Sequence, residues 1–442
     1  MKFLDLPKNN LFCPLPWVGA HIMPSGTFSY CCVQNQFDKD LIEAGNLSNQ
    51  TISQARNNDW SNKLRKDLIN GNQHKSCRDC WNLENQGILS LRQHYHNQWF
   101  NDAGYAENFE FDGDGKLTDE SIIYWDVRQT NLCNMNCVMC GPDYSSLWQR
   151  DILKSQDQKV PAAGVIDAVK ISKDNIFDII KNDIDKTYKF YFAGGEPLIS
   201  PMHWAILEEL IERRLFNVEL AYNTNLLKLD YKGKNIIDYW KKFKNVYVGC
   251  SIDAIGTRAE TVRTGTKWNK VNENFTRLHN ELPNAVALNI TTSNLTIAGL
   301  KDTISWAKSF DWADEHGKLL ANNLVYNPEW LSINVLPQNV KERVWKDIKE
   351  PLLSLKNKRS LEQIEYELWK DIDKDKFERL SMRFVKHIQW LSSIRNSDPT
   401  NLEEMPAAAA KLVLDGFPEL WNWYSEYLLK YNSLTEKQAG TL

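Results

Sequence analysis

The feature that most constrains this chain is a group of three cysteines within eight residues. Cys133, Cys137 and Cys140 have the spacing C-x3-C-x2-C and follow a strand-like run at residues 122–129. Three thiolates cannot complete a structural zinc site, because a tetrahedral zinc ion takes four ligands. They can hold three irons of a 4Fe–4S cluster and leave the fourth iron open. The spacing predicts such a cluster, with the open iron available to a chelating cosubstrate; the alternative is a loop of three buried structural cysteines.

Length and composition indicate a globular chain with more than one domain. The chain has 442 residues, of which 42% are hydrophobic and 25% charged. No apolar run approaches the roughly 18 residues of a membrane span, and the first residues lack the apolar stretch of a secretory signal. We therefore expect a cytoplasmic location and no membrane partner. The net charge of −4 argues against nucleic acid as a partner, which requires a clustered cationic surface.

A second set of cysteines precedes the first strand-like run. Cys13, Cys31, Cys77 and Cys80 could form a site of four thiolates, to which the last two contribute a CxxC pair. In a reducing compartment, cysteines grouped in this way indicate metal or iron–sulfur ligation rather than disulfides. Cys32 could replace Cys31, because alternation along a strand lets only one of the two face a shared site. An iron–sulfur cluster, a zinc ion and the absence of any metal are all compatible with the spacing.

Strand and helix patterns alternate from residue 120 onward. Strands are predicted at 122–128, 187–193, 216–223, 245–252, 285–292 and 330–335. Helices are predicted between them at 174–184, 201–214, 234–243, 267–281 and 300–310. This alternation predicts a parallel sheet with right-handed crossovers, in which functional residues lie at the carboxyl ends of the strands. Four amphipathic helical patterns follow at 340–356, 361–373, 375–395 and 417–431 and are expected to cover the open side of the sheet.

Glycines and polar residues follow the predicted strands. They are Gly194, Gly195, Glu196 and Pro197 after the second strand, Asn223 and Thr224 at the end of the third, Ser251 and Asp253 at the end of the fourth, and Arg263 beyond it. Glycines let a ligand approach the backbone closely, because no Cβ stands in the way. The Gly-Gly-Glu-Pro run could also be a plain turn in which proline opens a helix, and Arg263 could be a solvated surface residue.

Taken together, these motifs resemble those of the radical S-adenosylmethionine (SAM) superfamily. The resemblance implies an α/β fold in which a partial (β/α)6 TIM-like radical SAM barrel at 120–336 follows a small Cys-rich module at 1–105 and precedes a helical C-terminal region at 337–442. It implies that the three cysteines bind the 4Fe–4S cluster and that SAM chelates its open iron. The Gly-Gly-Glu-Pro element would contact the SAM amino group.

The same resemblance assigns further contacts to SAM. Met139 stands where the family often has an aromatic residue against the adenine. Asn223 and Thr224 match a family Thr-Asn-Gly element near the ribose or carboxylate, although Leu226 replaces its glycine. The resemblance places Ser251 and Asp253 near the cosubstrate and Arg263 at the SAM carboxylate.

The N-terminal cysteines resemble the SPASM and twitch modules, which carry auxiliary 4Fe–4S clusters in many radical SAM enzymes. Those modules more often follow the barrel, whereas this one precedes it. The resemblance implies reductive cleavage of SAM to a 5′-deoxyadenosyl radical, with a flavodoxin- or ferredoxin-type protein as the one-electron reductant. Peptide or protein modification, such as cross-linking or epimerisation, is the favoured reaction. The alternatives are a nucleoside, sugar or other small-metabolite substrate, or an iron–sulfur or zinc protein for electron transfer or scaffolding without SAM chemistry.

Overall fold

The structure is a computed structural model. It describes residues 11–34, 44–85, 87, 89–101, 112–117, 119–128, 130–155, 167, 170, 172, 175–310, 321–355, 359–395, 418–434 and 438.

A mixed, mostly parallel β-sheet organises the chain. The strands are β1 Gly19–Ile22, β2 Phe28–Ser29, β3 Tyr124–Val127, β4 Lys189–Phe192, β5 Glu219–Thr224, β6 Asp230–Tyr231, β7 Lys234–Asn235, β8 Val246–Ser251, β9 Val286–Thr292 and β10 Ala321–Leu324. Eight of them form one sheet in the order β10-β9-β8-β5-β4-β3-β1-β2, and β6 and β7 form a separate hairpin. The pairs β1–β3, β3–β4, β4–β5, β8–β9 and β9–β10 are parallel, while β2 runs antiparallel to β1. Within the described residues this sheet has two edges and does not close, as the predicted partial barrel requires.

Helices separate most of the strands and make up the C-terminal region. They are α1 Leu15–Val18, α2 Ile52–Asn57, α3 Asp59–Ile69, α4 Arg78–Asn85, α5 Leu91–Asn101, α6 Ser146–Ser155, α7 Ile176–Asp183, α8 Pro201–Glu212, α9 Ile236–Trp240, α10 Gly256–Val262, α11 Trp268–Glu281, α12 Leu300–Lys308, α13 Gln338–Leu353, α14 Arg359–Trp369, α15 Lys374–Arg395 and α16 Pro418–Asn432. No described helix is both long and apolar enough to cross a membrane.

The predicted sixth strand at 330–335 is wrong. Those residues form two 3-10 turns, Glu329–Leu331 and Ile333–Val335. The Ser332 side chain accepts a hydrogen bond from the backbone N–H of Asn334 at 3.2 Å, a local bond that competes with strand pairing. The strand that pairs with β9 is β10, whose sequence Ala-Asn-Asn-Leu contains two residues that are rare in strands.

The chain divides into two compact units. The first comprises Met1–Cys133, Val165–Tyr222 and Asp230–Tyr247, and the second comprises Asn134–Gly164, Asn223–Leu229 and Val248–Leu442. The cysteine loop therefore contributes Cys133 to the first unit and Cys137 and Cys140 to the second.

Two buried arginines fix the N-terminal part of the first unit. Arg65 donates hydrogen bonds to the Tyr30 hydroxyl at 2.9 Å and to the carbonyl oxygens of Arg56 at 2.7 Å and Pro16 at 3.1 Å. Arg56 donates to the carbonyl oxygen of Trp17 at 2.6 Å. Because these acceptors are mostly backbone carbonyls, the two guanidiniums satisfy polar groups that burial would otherwise leave unpaired. They thereby hold α1 and the end of β2 against α2 and α3.

The second unit is built from amphipathic helices. Val271, Phe275 and Leu278 of α11 are buried at the three- and four-residue spacing of a helix face. In the C-terminal region, the rings of Phe384 in α15 and Trp423 in α16 are stacked with centroids 5.1 Å apart. The four C-terminal helical patterns predicted from the sequence are thus confirmed as α13 to α16.

Candidate functional site

The β1–β2 hairpin of the first unit carries two of the N-terminal cysteines. Its turn contains Gly26, whose φ of +80° lies in the region that favours glycine, and whose N–H donates to the Met23 carbonyl at 2.9 Å. The chain then leaves β2 through Cys31 and Cys32. The hairpin thus has two consecutive thiols at its end.

The two consecutive thiols have different surroundings. Burial raises the pKa of Cys31 well above the usual value, and the nearby thiols of Cys32, Cys80, Cys13 and Cys77 raise it further. Cys32 lies beside Arg128, which hydrogen-bonds its sulfur. Burial raises the pKa of Cys32 to about 11, although Arg128 opposes that effect. Cys31 therefore belongs with the other three thiols, and Cys32 faces a guanidinium at the end of β3.

Of the four grouped cysteines, Cys13 and Cys80 are buried and Cys31 and Cys77 are half-buried. Burial, and then the nearby Cys80, raise the pKa of Cys77 to about 12, and burial also raises the pKa of Cys13 and Cys80. Among the described residues, no three His, Cys, Asp or Glu side chains lie close enough to share one metal ion. Sulfurs around a single zinc ion lie about 3.8 Å apart, because each Zn–S bond is about 2.3 Å. A cuboidal cluster would instead bind each thiolate through a different iron.

An arginine that the sequence analysis left without a role supports this thiol group. Arg92 forms two bonds with the Glu84 carboxylate, at 2.9 and 2.5 Å. Its remaining Nη1 donates to the carbonyl oxygen of Phe12 at 3.1 Å, next to Cys13 in the chain. The charge of Arg92 lowers the pKa of Cys13 against the larger effect of burial. No local sequence pattern identifies this role, because Arg92 and Phe12 are 80 residues apart.

The Gly-Gly-Glu-Pro turn of the first unit is packed against the backbone that leads into Cys133. The N–H of Gly195 donates to the Thr130 carbonyl at 3.2 Å, and the N–H of Glu196 donates to the Leu132 carbonyl at 2.8 Å. A Cβ on Gly195 would lie 2.2 Å from the Leu132 oxygen, closer than any such contact allows. Glycine is therefore required here by the protein backbone itself. Glu196 also accepts a bond from the N–H of Leu198 at 3.1 Å and so caps the turn that Pro197 opens.

The rest of the cysteine loop is held within the second unit. The N–H of Asn136 donates to the Thr264 carbonyl at 3.0 Å, and the N–H of Val138 donates to the Val262 carbonyl at 2.8 Å. Trp148 of α6 donates from its indole nitrogen to the Cys137 carbonyl at 2.7 Å. Backbone bonds to the last residue of α10 and to the segment after it therefore fix the loop on both sides of Cys137.

A buried ion pair lies next to these thiols. Asp253 accepts two bonds from Arg263, at 2.7 and 2.9 Å, and a third from the N–H of Thr291 at 2.8 Å. The free arm of the guanidinium places Nη1 4.0 Å from the sulfur of Cys137. Burial alone would lower the pKa of Arg263, but Asp253 and the thiols keep it above the usual value.

Burial raises the pKa of two of the thiols in this loop. Burial raises the pKa of Cys137 in spite of Arg263, and burial with the neighbouring Cys137 raises the pKa of Cys140 to about 12. A neutral thiol gains little from an adjacent guanidinium, whereas a thiolate gains a charge-assisted hydrogen bond. The arrangement therefore suits thiolates that carry negative charge when they bind a metal centre.

Of the other residues predicted to bind SAM, Thr224 forms a hydrogen bond within its own turn. The Thr224 hydroxyl accepts a bond from the N–H of Leu226 at 3.2 Å. Leu226 has a φ of +55°, in the left-handed region that glycine adopts most easily. Glycine is the residue of the family element at this position. Met139 and Ser251 are half-buried, the first inside the cysteine loop and the second at the end of β8. Their contacts with SAM, and those of Asn223, stay predictions.

Comparison with known proteins identifies two domains. The radical SAM superfamily model matches residues 127–307, and the model of the SPASM iron–sulfur cluster-binding domain matches residues 13–81. The chain therefore contains a radical SAM domain preceded by a SPASM domain, as its motifs predict. A radical SAM domain implies a 4Fe–4S cluster and SAM, and a SPASM domain implies auxiliary iron–sulfur cluster binding.

Three solved structures of low sequence identity are similar to about half of this chain. One described as native anSMEcpe with bound AdoMet is 18% identical, with a TM-score of 0.34 over 52% of this chain and 59% of that chain. The same protein with bound AdoMet and Cp18Cys peptide is 16% identical, with a TM-score of 0.34 over 52% and 60%. TYW1 with a lysine-pyruvate adduct bound is 12% identical, with a TM-score of 0.27 over 53% and 72%. The matched region is thus about six-tenths of the first two structures, and no protein with a curated description matches this sequence.

Replacing Gly195 by alanine should disrupt the backbone that leads into Cys133. The new Cβ would displace the Leu132 carbonyl, so we expect a loss of about four irons per chain after anaerobic reconstitution. Gly141→Ala is the matched control, because a Cβ there meets no atom within 4 Å although the residue adjoins Cys140. Iron and sulfide analysis checks this, and a Gly195→Ala variant with full iron content would contradict it.

The surroundings of the two consecutive thiols predict different effects of their replacement. In a background in which Cys133, Cys137 and Cys140 are all alanine, Cys31→Ser should abolish the remaining iron and Cys32→Ser should retain about four irons per chain. The reverse result would make Cys32 the ligand. About one zinc and no iron per chain in the background protein would identify the N-terminal site as a zinc site.

Proposed function

We propose that this protein is a radical SAM enzyme that modifies a peptide or protein by hydrogen-atom abstraction. The observation that carries the proposal is the guanidinium of Arg263, fixed by Asp253 and held 4.0 Å from the Cys137 sulfur. A cation at this position, besides pairing with Asp253, would stabilise the negative charge of an iron–thiolate centre. The radical SAM and SPASM matches support the same assignment.

The three cysteines of the loop would each bind one iron of the cluster. Reductive cleavage of SAM at such a cluster yields methionine and a 5′-deoxyadenosyl radical, the species that abstracts hydrogen from the substrate. The residues of this chain would hold the cluster loop, bind SAM, orient the substrate and exclude water. A flavodoxin- or ferredoxin-type protein would supply the electron.

Two groups of residues would bind SAM. The amino group of SAM donates hydrogen bonds, so its partners in Gly194–Pro197 must be acceptors. The N–H groups of Gly195 and Glu196 already donate to Thr130 and Leu132. Backbone carbonyl oxygens of the turn are therefore the matching partners. Asn223, Thr224, Ser251 and Arg263 are proposed to bind its ribose or carboxylate, and Met139 to contact its adenine.

Asp253 would act on SAM indirectly. Both of its carboxylate oxygens accept bonds from Arg263, and one also accepts from Thr291. Its proposed role is to fix the position of Arg263 rather than to contact the cosubstrate. This revises the expectation that it binds SAM directly.

The substrate class rests on the N-terminal domain. Cys13, Cys31, Cys77 and Cys80 would hold an auxiliary 4Fe–4S cluster, which could accept an electron from a product radical or anchor the substrate. SPASM domains commonly accompany peptide modification, and this favours a peptide or protein substrate. A nucleoside, sugar or other small metabolite is the alternative.

Reconstituted protein should cleave SAM. After anaerobic reconstitution and reduction with dithionite, we expect 5′-deoxyadenosine from the wild type and none from a variant in which Cys133, Cys137 and Cys140 are alanine. Iron should fall from about eight to about four per chain in the variant. A wild type that loads iron but forms no 5′-deoxyadenosine, even with the lysate fractions described next, would favour an electron-transfer function.

The substrate class can be tested by fractionating a lysate of the source organism by ultrafiltration. The retained, protein-containing fraction should stimulate 5′-deoxyadenosine formation, and protease treatment of that fraction should abolish the stimulation. The variant without the three loop cysteines is the control for non-enzymatic cleavage. Stimulation by the filtrate alone, insensitive to protease, would instead indicate a small-metabolite substrate.

A further inference from the structure

The last turn of helix α15 contacts the residues that hold the cysteine loop. Arg395 donates from Nε to the Asp151 carboxylate at 2.9 Å and from Nη1 to the Thr264 hydroxyl at 3.2 Å. Its guanidinium also lies 5.0 Å from the centre of the Trp148 ring. Arg395 is 88 residues beyond the end of the radical SAM match at residue 307. These contacts therefore join the C-terminal region to the neighbourhood of the cysteines.

The three partners of Arg395 each bond to the cysteine loop. Asp151 accepts a second bond, at 2.7 Å, from the side chain of Asn136. The backbone carbonyl of Thr264 accepts the N–H of the same Asn136 at 3.0 Å. Trp148 donates to the Cys137 carbonyl at 2.7 Å. A displacement of Arg395 would thus affect three separate supports of the loop.

Two aromatic residues on the same face of α15 add to this contact. His387 stacks on Trp148 with ring centroids 6.0 Å apart, and its Nε2 lies 3.4 Å from the Val138 carbonyl. Trp390 stacks on the same Trp148 ring, with ring centroids 5.7 Å apart. His387, Trp390 and Arg395 all contact the Trp148 ring. Helix α15 therefore packs on this support of the loop through three side chains.

The guanidinium of Arg395 has bonding capacity that its protein partners do not use. Its Nη2 is buried and has no hydrogen-bond partner among the described residues. Cys137 and Cys140 both lie within range of its charge. A buried N–H without an acceptor is unfavourable, and a negatively charged centre on these two cysteines would provide one.

We infer that Arg395 is a positioning and charge-compensating residue of the cluster bound by Cys133, Cys137 and Cys140. It fixes the loop through Asp151 and Thr264, and its free N–H stabilises the negative charge of the cluster. Hydrogen bonds and charge near the sulfurs raise the reduction potential of an iron–sulfur cluster, because the reduced form is the more negative one. The inference rests on the proposed function, since it requires a cluster at these cysteines.

The test is a redox titration of the reconstituted full-length chain, monitored by EPR. The signal of the loop cluster is identified as the one that is absent from the variant without the three loop cysteines. Arg395→Gln should shift the midpoint potential of this cluster downward, and Arg395→Lys, which keeps the charge, should restore most of the shift. Arg379→Gln, on an exposed position of the same helix, is the matched control and should leave the potential unchanged. A fully loaded Arg395→Gln cluster with wild-type potential would overturn the inference.

A second measurement covers the case in which Arg395→Gln does not load the cluster. Hydrogen exchange of the metal-free proteins should then be several-fold faster in peptides covering 134–148 for Arg395→Gln than for wild type or Arg379→Gln. Unchanged exchange in those peptides would refute the positioning role. If the wild type itself shows no cluster signal from the loop, the proposed function fails first, and the inference fails with it.

Discussion

Positive charge beside the loop cysteines is the constraint that explains the buried pair of Asp253 and Arg263. Asp253 fixes Arg263 with two bonds and is itself fixed by the N–H of Thr291. Such a pair adds little stability, because desolvation offsets the attraction, and apolar residues of similar volume are often equal or better by about 1–4 kcal/mol. The pair is better explained by its neighbour Cys137, whose thiolate it would stabilise when a metal centre is bound.

The N-terminal cysteines follow the same rule with different residues. Arg92 is fixed by Glu84 and places its charge near Cys13, just as Asp253 fixes Arg263 near Cys137. In both cases a carboxylate orients the guanidinium, so the cation stays beside the thiols even when they are protonated. Cys32, next to Cys31 in the chain, has an analogous pair beside it, Arg128 with Asp126. The Cys32 thiol therefore lies beside a separate ion pair.

The sequence was sufficient where a local pattern decides the structure. The helix predicted at 267–281 is α11, and the turn before Cys31 has the glycine that its geometry needs. The sequence did not predict the structure where strand pairing or contacts between distant residues determine it. The strand β10 contains two asparagines and is identified only by its pairing with β9. The surroundings of Cys31 and Cys32 differ because Arg128, about a hundred residues further along the chain, lies beside Cys32, and no local pattern predicts that contact.

The C-terminal helices show that residues outside the radical SAM match can support the cysteine loop. Their amphipathic pattern predicts only that they cover an apolar surface. The bond between Arg395 and Asp151 spans 244 residues, and no local signal distinguishes this arginine from a solvated one. Burying a guanidinium at the end of a long helix is unfavourable unless a negative partner compensates it, and Asp151 does so while also holding Asn136. Because that carboxylate serves both the helix and the loop, the C-terminal region is part of the structure that holds the cysteines.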